Sequence, residues 1–558
     1  MTNRSIPAPT PSRARSRALS CALACALPLG CANQADRAQT TETPTSAPAA
    51  AAPSRADASL LSRELLFGNP DKVAPQLSGD GSKILYLAPK DGVMNVWVGD
   101  AADGGAAAKP ITHDTHRGVR VALWSWGGDR VIYIQDKGGD ENWHVYAADP
   151  EGGETKDLTP IDGVQAQLAS MSRDFPDELL VGLNDRDPAY HDVYRVNVKT
   201  GARALVEKNT EKYAGYSFDD AFKTRLAMRS TPDGGMEWLI KRGKRFQPLT
   251  TIPKEDMFDT SAYGYDRAGK TLYMSDSRGR ETGALVAYDM KTGKQTVIAE
   301  DPQVNLAGWL RDAKTGKPLA VTFDRERVRW QVIDEVVRPD LDYLKTVQDD
   351  DFAIIDQTLD DQTWLVAYYG DDGPTRYYVY DRAGKRARLL FSSRAALEDK
   401  PLTPMHPVVI KARDGLELVS FLSLPLAADP DGDGRPDAPV PMVLLVHGGP
   451  WGRVGWGYDS YHQWLASRGY AVLDVNFRGS TGFTKSFANA GDREWAGKMH
   501  DDLIDAVRWA VDERVAAPDK VAIMGASYGG YATLVGLTFT PDAFACGVDI
   551  VGPSSLVT

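Results

Sequence analysis

Cysteine is nearly absent: the 558 residues contain four, at positions 21, 25, 31 and 546. Cys21 and Cys25 fall inside an N-terminal targeting segment, so a disulfide scaffold is excluded and stability must come from packed cores. A surplus of positive charge is also missing. With 64 Lys+Arg against 76 Asp+Glu and a net charge of -12, a broad electrostatic grip on nucleic acid or anionic lipid is excluded. Nor is there an apolar run long enough for a transmembrane span: Ala18 to Leu29 falls well short of the roughly 20 residues a crossing helix needs. From Asn33 to Ala58 there is no large apolar residue at all, too little to offset the entropy of ordering the backbone. The rest is too long for one core and implies several domains.

What is present begins with one sign of charge. Arg4, Arg13, Arg15 and Arg17 precede the first acid, Asp36, and the small residues Gly30, Cys31 and Ala32 follow the apolar stretch. Residues 1–31 read as a signal peptide of an exported protein, periplasmic, outer-membrane-anchored or secreted. Leu29-Gly30-Cys31 approximates a lipoprotein motif with Cys31 as lipid anchor; Pro28, where an aliphatic residue is usual, leaves cleavage near Ala32 as the alternative. Residues 32–58 are expected to form a disordered linker. Leu60, Leu61, Leu65, Leu66 and Phe67 then recur at helical spacing before Gly68-Asn69-Pro70 stops them.

Between residues 59 and 400 an apolar strand recurs, centred on Tyr86, Tyr133, Gly182, Ala227, Tyr273, Ala320 and Val366, at intervals of 45 to 49 residues. That period fits a four-stranded blade and leaves no room for crossover helices, so a seven-bladed β-propeller is expected, blade four being the weakest match. The many Trp and Tyr residues here read as blade packing.

From about Pro401 the pattern changes to an α/β-hydrolase. A hairpin turning at Asp414-Gly415 precedes strands expected at 408–412, 417–424, 442–447, 471–476, 520–524 and 546–551, with helices at 459–467 and 495–512. The fifth strand runs into Gly525-Ala526-Ser527-Tyr528-Gly529. A serine on a strained strand-to-helix turn needs small neighbours so that strand and helix can close on each other, and this placement makes Ser527 the expected nucleophile. Acyl attack generates an oxyanion that needs preorganised donors. The Tyr528 N–H is one candidate, and Gly449, in His447-Gly448-Gly449-Pro450 at the end of the third strand, is the other. His447 is not expected to be the general base, which in this fold arrives after the eighth strand.

Together with Asn476-Phe477-Arg478-Gly479-Ser480-Thr481-Gly482-Phe483 and Gly525-Ala526-Ser527-Tyr528-Gly529-Gly530-Tyr531, His447-Gly448-Gly449-Pro450 resembles the serine peptidases of the prolyl oligopeptidase family, nearest to the acylaminoacyl-peptidase and dipeptidyl-peptidase branches. The resemblance spans the chain from about residue 59. It implies cleavage of short peptides with a propeller limiting access by size, no required cofactor, and Tyr531 as a wall of the pocket for the residue before the scissile bond. The last histidine is His500 and the sequence stops at Thr558. We therefore expect a longer enzyme whose triad Asp and His lie in on the order of 100 further residues, and a final strand with an uncovered edge. An inactive binding protein and an esterase-type hydrolase are the alternatives.

Two further patterns bear on ligands. Asp429, Asp431, Asp433 and Asp437 occupy positions 1, 3, 5 and 9 of a calcium-type loop with Gly434 at 6, but position 12 is Val440. Structural Ca2+ is one reading and a solvated connection the other. The Glu-Glu pair by which dipeptidyl peptidases hold a substrate amine is absent, leaving Glu141, Asp219-Asp220 and Asp371-Asp372 as substitutes or as solvated turns. Oligomeric state is not encoded in any pattern found.

Overall fold

The computed structural model describes residues 60–557, so the expected signal peptide, Cys31 and the whole of the expected linker lie outside the described residues. From Val73 to Ser392 seven antiparallel sheets follow one another, six of four strands and one of three. Their second strands are Lys83–Lys90, Val131–Gln135, Glu178–Asp187, Thr224–Ser230, Thr271–Asp276, Pro318–Asp324 and Thr363–Tyr369. All seven apolar centres of the sequence period fall on these strands. The reason is that a middle strand of a blade is buried on both faces. Val131 and Tyr133 pack with Leu85 and Val96 of blade one, whereas the intervening Ile132 packs with Leu179 and Val181 of blade three.

Two expectations about the blades need correction. Blade four is a regular four-stranded sheet, and blade six is the one with only three. In place of a fourth strand, Asp334 caps a turn by accepting from the Val336 N–H, and a helix follows over Arg338–Leu344 with Pro339 in its first turn. A proline has no N–H for a sheet ladder, and Val337, Leu341 and Leu344 bury against Trp364 and Tyr380 instead. Among the described residues no strand is exchanged between the first and last blades. Their junction is made by Leu77, whose N–H donates to the Asp356 carboxylate at 2.8 Å, and by Leu77 and Ile84 packing on Leu365.

The second domain is a six-stranded sheet of β1 (Met405–Lys411), β2 (Glu417–Ser423), β3 (Val440–Val446), β4 (Ala471–Val475), β5 (Ala516–Ala526) and β6 (Cys546–Ile550), in the order β1-β2-β4-β3-β5-β6. From β4 to β6 the strands are parallel. In β3, Met442, Leu444 and Val446 face one core with helix Lys498–Asp512, while Val443 and Leu445 face helix Ser460–Ala466. β6 is the sheet edge among the described residues, with Val548 48% exposed.

Residues 60–67, expected with the propeller, pack on the hydrolase. Helix Arg63–Phe67 lies against Ser460–Ala466: the Ser460 hydroxyl donates to the Leu66 carbonyl at 2.8 Å and Phe67 meets the rings of Tyr461 and Trp464. The chain thus leaves the hydrolase, makes the propeller and returns. The outgoing and returning segments touch, since the Asp71 N–H donates to the Ser393 carbonyl and the Asp71 carboxylate accepts from the Ala395 N–H, both at 2.8 Å. Among the described residues no helix is long and apolar enough to cross a membrane.

Candidate active site

Strand β5 ends at Ala526 and helix Tyr528–Phe539 begins with one residue between, so Ser527 carries the whole turn. Its backbone sits at φ 57°, ψ -117°, a region that L-residues other than glycine occupy only when the surroundings impose it. Here the surroundings do. The Ser527 N–H donates to Ile550 on β6 at 3.0 Å, and its carbonyl accepts from Tyr531 at 3.1 Å. A Cβ on Gly525 would stand 2.6 Å from the Val446 carbonyl oxygen, and one on Gly529 would collide with that same oxygen. The two glycines therefore let helix, β5 and β3 meet, and the serine is pushed out to the surface, where it is exposed.

The His447–Pro450 segment leaves β3 beside this turn: a Cβ on Gly448 would be 3.5 Å from that of Ser527. Gly449 is exposed at φ 131°, and the Tyr528 N–H opens the helix next to Ser527, where the first N–H groups have no partner within the helix. Tyr528 contributes only its backbone there. Its ring is 2% exposed, and burial pushes the phenol well above its usual range. His447 is held elsewhere, with Nδ1 on the Gly448 carbonyl at 2.8 Å, Nε2 on the Ser480 hydroxyl at 2.9 Å, and the ring stacked on Phe477. Burial lowers its pKa, so the neutral ring is favoured. His500 contacts the Thr540 hydroxyl. No histidine among the described residues is hydrogen-bonded to Ser527.

Sequence reasoning placed Tyr531 near the site and missed the aromatic wall that it belongs to. The wall runs from Tyr531 to Trp495 (ring centroids 5.6 Å apart), on to Trp451 (6.4 Å), and across to Phe258 of the propeller, stacked at 5.7 Å. Trp451 and Phe258 are 49% and 47% exposed. Trp495 was expected at a helix start, but the helix begins at Lys498, after Gly497, with the Glu494 carboxylate accepting from the Lys498 N–H. Packing of Trp495 edge-on to Tyr528 takes it out of the helix.

Arg478 holds the segment behind His447. Its guanidinium makes paired bonds to Asp502 (2.8 and 2.6 Å) and to Asp414 (2.9 and 3.1 Å), tying helix Lys498–Asp512 to the β1–β2 turn. Asp502 is fully buried. Arg478→Met leaves it without a counter-charge and is expected to cost about 3–5 kcal/mol in urea unfolding; a loss under about 1 kcal/mol would contradict this.

At the domain boundary, one Asp259 Oδ accepts from the Asn305 side-chain amide (2.6 Å) while the other has no hydrogen-bond partner, and Asp256 pairs with Lys485 of the hydrolase at 2.9 Å. Burial and, secondarily, the nearby Asp256 charge push Asp259 up to about 7. A carboxyl whose folded pKa exceeds its unfolded value of about 3.9 takes up a proton on folding, so stability falls as pH rises between those two values. Asp259→Asn is expected to reduce the drop in melting temperature between pH 5 and pH 8. An unchanged difference between the two melts would show that this carboxyl does not titrate in that range.

The acidic loop contains part of the expected ligand set. Asp429, Asp431 and Asp433 bring carboxylate oxygens within 4.8 Å of one another. Asp437 is a correction: it lies outside that group, at the point where its N–H closes the loop onto the Ala428 carbonyl at 2.9 Å. Asp429 already accepts the Asp433 and Gly434 N–H groups at 3.0 Å each, and Val440 at position 12 is the first residue of β3.

A propeller joined to an α/β-hydrolase, with an exposed serine on a strained strand-to-helix turn, defines a propeller-capped serine hydrolase. Residues 456–558 match the model of the prolyl oligopeptidase family (Peptidase_S9). Dipeptidyl aminopeptidase BIII of Pseudoxanthomonas mexicana is 52% identical over 516 residues, covering 91% of this chain and 75% of its own. Dipeptidyl peptidase family member 6 of Caenorhabditis elegans is 35% identical over 534 residues, 89% of this chain and 71% of its own. The solved Mycobacterium tuberculosis puromycin-hydrolyzing peptidase superposes with a TM-score of 0.66 at 18% identity, over 88% of this chain and 79% of that one, a likeness of fold. The chain belongs to the prolyl oligopeptidase family and is a serine peptidase of it.

Proposed function

We propose that the protein cleaves short peptides by forming an acyl-enzyme on Ser527. The observation that carries this reading is the exposed Ser527 at φ 57°, set between the helix start at Tyr528 and the His447–Pro450 segment, where a Cβ on Gly448 would stand 3.5 Å from that of Ser527. Ser527 Oγ attacks the scissile carbonyl and its proton passes to a base. The Tyr528 and Gly449 backbone amides take the charge that develops on the carbonyl oxygen. The C–N bond breaks, the amine leaves with a proton, and water then hydrolyses the ester. Tyr531 and Trp495 form the wall against which an apolar side chain packs, and the propeller admits only short or extended chains.

The names of two relatives, a dipeptidyl aminopeptidase and a dipeptidyl peptidase, favour release of dipeptides from a free amino terminus. The one-signed charge and apolar stretch at the N-terminus support export. Fluorophosphonate labelling followed by peptide mapping tests the nucleophile, with a single adduct expected at Ser527. Hydrolysis of dipeptidyl 4-nitroanilides, compared with their N-blocked forms and with short acyl esters, tests the substrate class. Folded protein that neither labels nor hydrolyses any of these would overturn the reading.

A further inference from the structure

The loop that follows β3 is fastened to the other domain. Four residues after Gly449, Arg453 extends its guanidinium into the turn of blade six and donates to two main-chain carbonyls, Asp324 at 2.9 Å and Arg325 at 3.2 Å. The Asp324 carboxylate stands 3.6 Å away and the face of Phe483 is 4.6 Å below. The side chain is only 20% exposed. Removing a guanidinium from water is costly unless hydrogen bonds and an opposite charge compensate; Nε reaches only the Val454 carbonyl of its own loop, at 3.5 Å, and the oxygens that serve the two Nη groups, with the opposing carboxylate, all belong to the propeller. Burial lowers the Arg453 pKa and raises that of Asp324, as expected for charges drawn out of water.

The hydrolase is shaped to admit this side chain. A Cβ on Gly482 would lie 2.7 Å from Arg453 Nη1, and Gly482 adopts φ 90°. The Gly482 carbonyl accepts from the Asn305 N–H of the propeller at 3.0 Å, so the same glycine both makes room for the arginine and touches the other domain. On either side of Arg453 the loop is braced within the hydrolase, by the Thr481 N–H on the Gly452 carbonyl (2.8 Å) and the Val454 N–H on the Asn476 side chain (2.9 Å). A second propeller contact, the stack of Phe258 on Trp451, falls two residues after Gly449.

We propose that Arg453 is a positioning residue that fastens the loop carrying Gly449 to the propeller, so that this backbone donor is set only while the two domains are docked. The inference rests on the reading of Gly449 as an oxyanion donor, but the fastening itself can be tested without turnover. In Arg453→Met, which keeps the length and loses the donors, hydrogen exchange of the peptide covering 447–456 is expected to be at least about tenfold faster than in the unaltered chain, with exchange across 516–526 unchanged. Arg453→Lys, which keeps one donor and the charge, should recover part of the protection and guards against misfolding of the methionine variant. Unchanged exchange of 447–456 in both variants would overturn the proposal whatever the enzyme does.

The catalytic half has its own readout. Per fluorophosphonate-titrated site, Arg453→Met should lose on the order of 10- to 100-fold in kcat on a peptide anilide, less than the loss of a whole oxyanion donor, with KM and inhibition by product dipeptide within about twofold. Affinity for a peptidyl trifluoromethyl ketone, whose adduct carries an oxyanion, should fall in parallel with kcat. Equal losses in product and ketone binding, or an unchanged kcat, would count against the positioning role. Failure of the unaltered chain to label or turn over would instead remove the peptidase reading and leave the exchange result to decide the fastening.

Discussion

Ser527→Ala is expected to abolish fluorophosphonate labelling and to lower turnover of peptide and ester substrates alike by about 10^4- to 10^6-fold, the loss seen when the nucleophile of an acyl-transfer site is removed. The fold should survive it. The backbone at Ser527 is imposed by Gly525, Gly529 and the bond from Ser527 to Ile550, none of which involves the hydroxyl. Alanine at φ 57° has the same Cβ to accommodate, so the melting temperature should change little. A variant that retained peptide hydrolysis would remove the acyl-enzyme from the account, and one that failed to fold would show that the hydroxyl holds the turn. The esterase and peptidase readings share this outcome, because ester and amide pass through the same tetrahedral species.

The second large effect is at a position with no chemistry of its own. In Gly529→Ala the new Cβ meets the carbonyl oxygen of Val446, the last residue of β3, which pairs with Gly525 of β5 while the rest of its strand is held between β4 and β5. Backbone in a central strand has nowhere to move, unlike the end of a flexible side chain. We expect a cost of at least ~3 kcal/mol, near the top of the range for overpacking, seen as a fall of roughly 10 °C in melting temperature for a domain of this size, or as insoluble protein. Gly448→Ala is the comparison. Its Cβ would lie 3.2 Å from the Ala526 carbonyl and 3.5 Å from Ser527 Cβ, so it should fold while crowding the nucleophile and lowering kcat. Equal stability of the two variants would mean that the elbow is looser than its geometry implies.

How far the sequence discloses this site depends on how local each feature is. The elbow is contiguous, and its small residues are demanded by a turn that spans five positions, so Ser527 and Tyr528 could be picked out directly. The propeller was legible because one requirement, a middle strand buried on both faces, repeats at every blade from Tyr86 to Val366. Blade six departs from that rule through Pro339 and the apolar residues of Arg338–Leu344, whose partners Trp364 and Tyr380 lie in the next blade. The proline was a usable signal. Trp451, Trp495 and Phe258 were not recoverable in this way. Their spacing shows no period, and the wall exists only because two domains bring distant segments together. Arg453 is hidden for the same reason, since its partners are main-chain carbonyls, which any residue can supply. Helix Arg63–Phe67 was recognised as an element but assigned to its neighbour in sequence, whereas Phe67 finds its rings almost 400 residues further on, in Tyr461 and Trp464.

The bonded crossing of the chain at Asp71, Ser393 and Ala395 has a mechanical consequence. Two covalent strands that pass between the same pair of bodies, side by side, act as one pin, and every other attachment, including Asp256 to Lys485 and Arg453 to the blade-six turn, is non-covalent and can be released. Any parting of the bodies would be a swing about that pin, widest at the rim opposite to it and smallest where Leu66 and Ser460 meet.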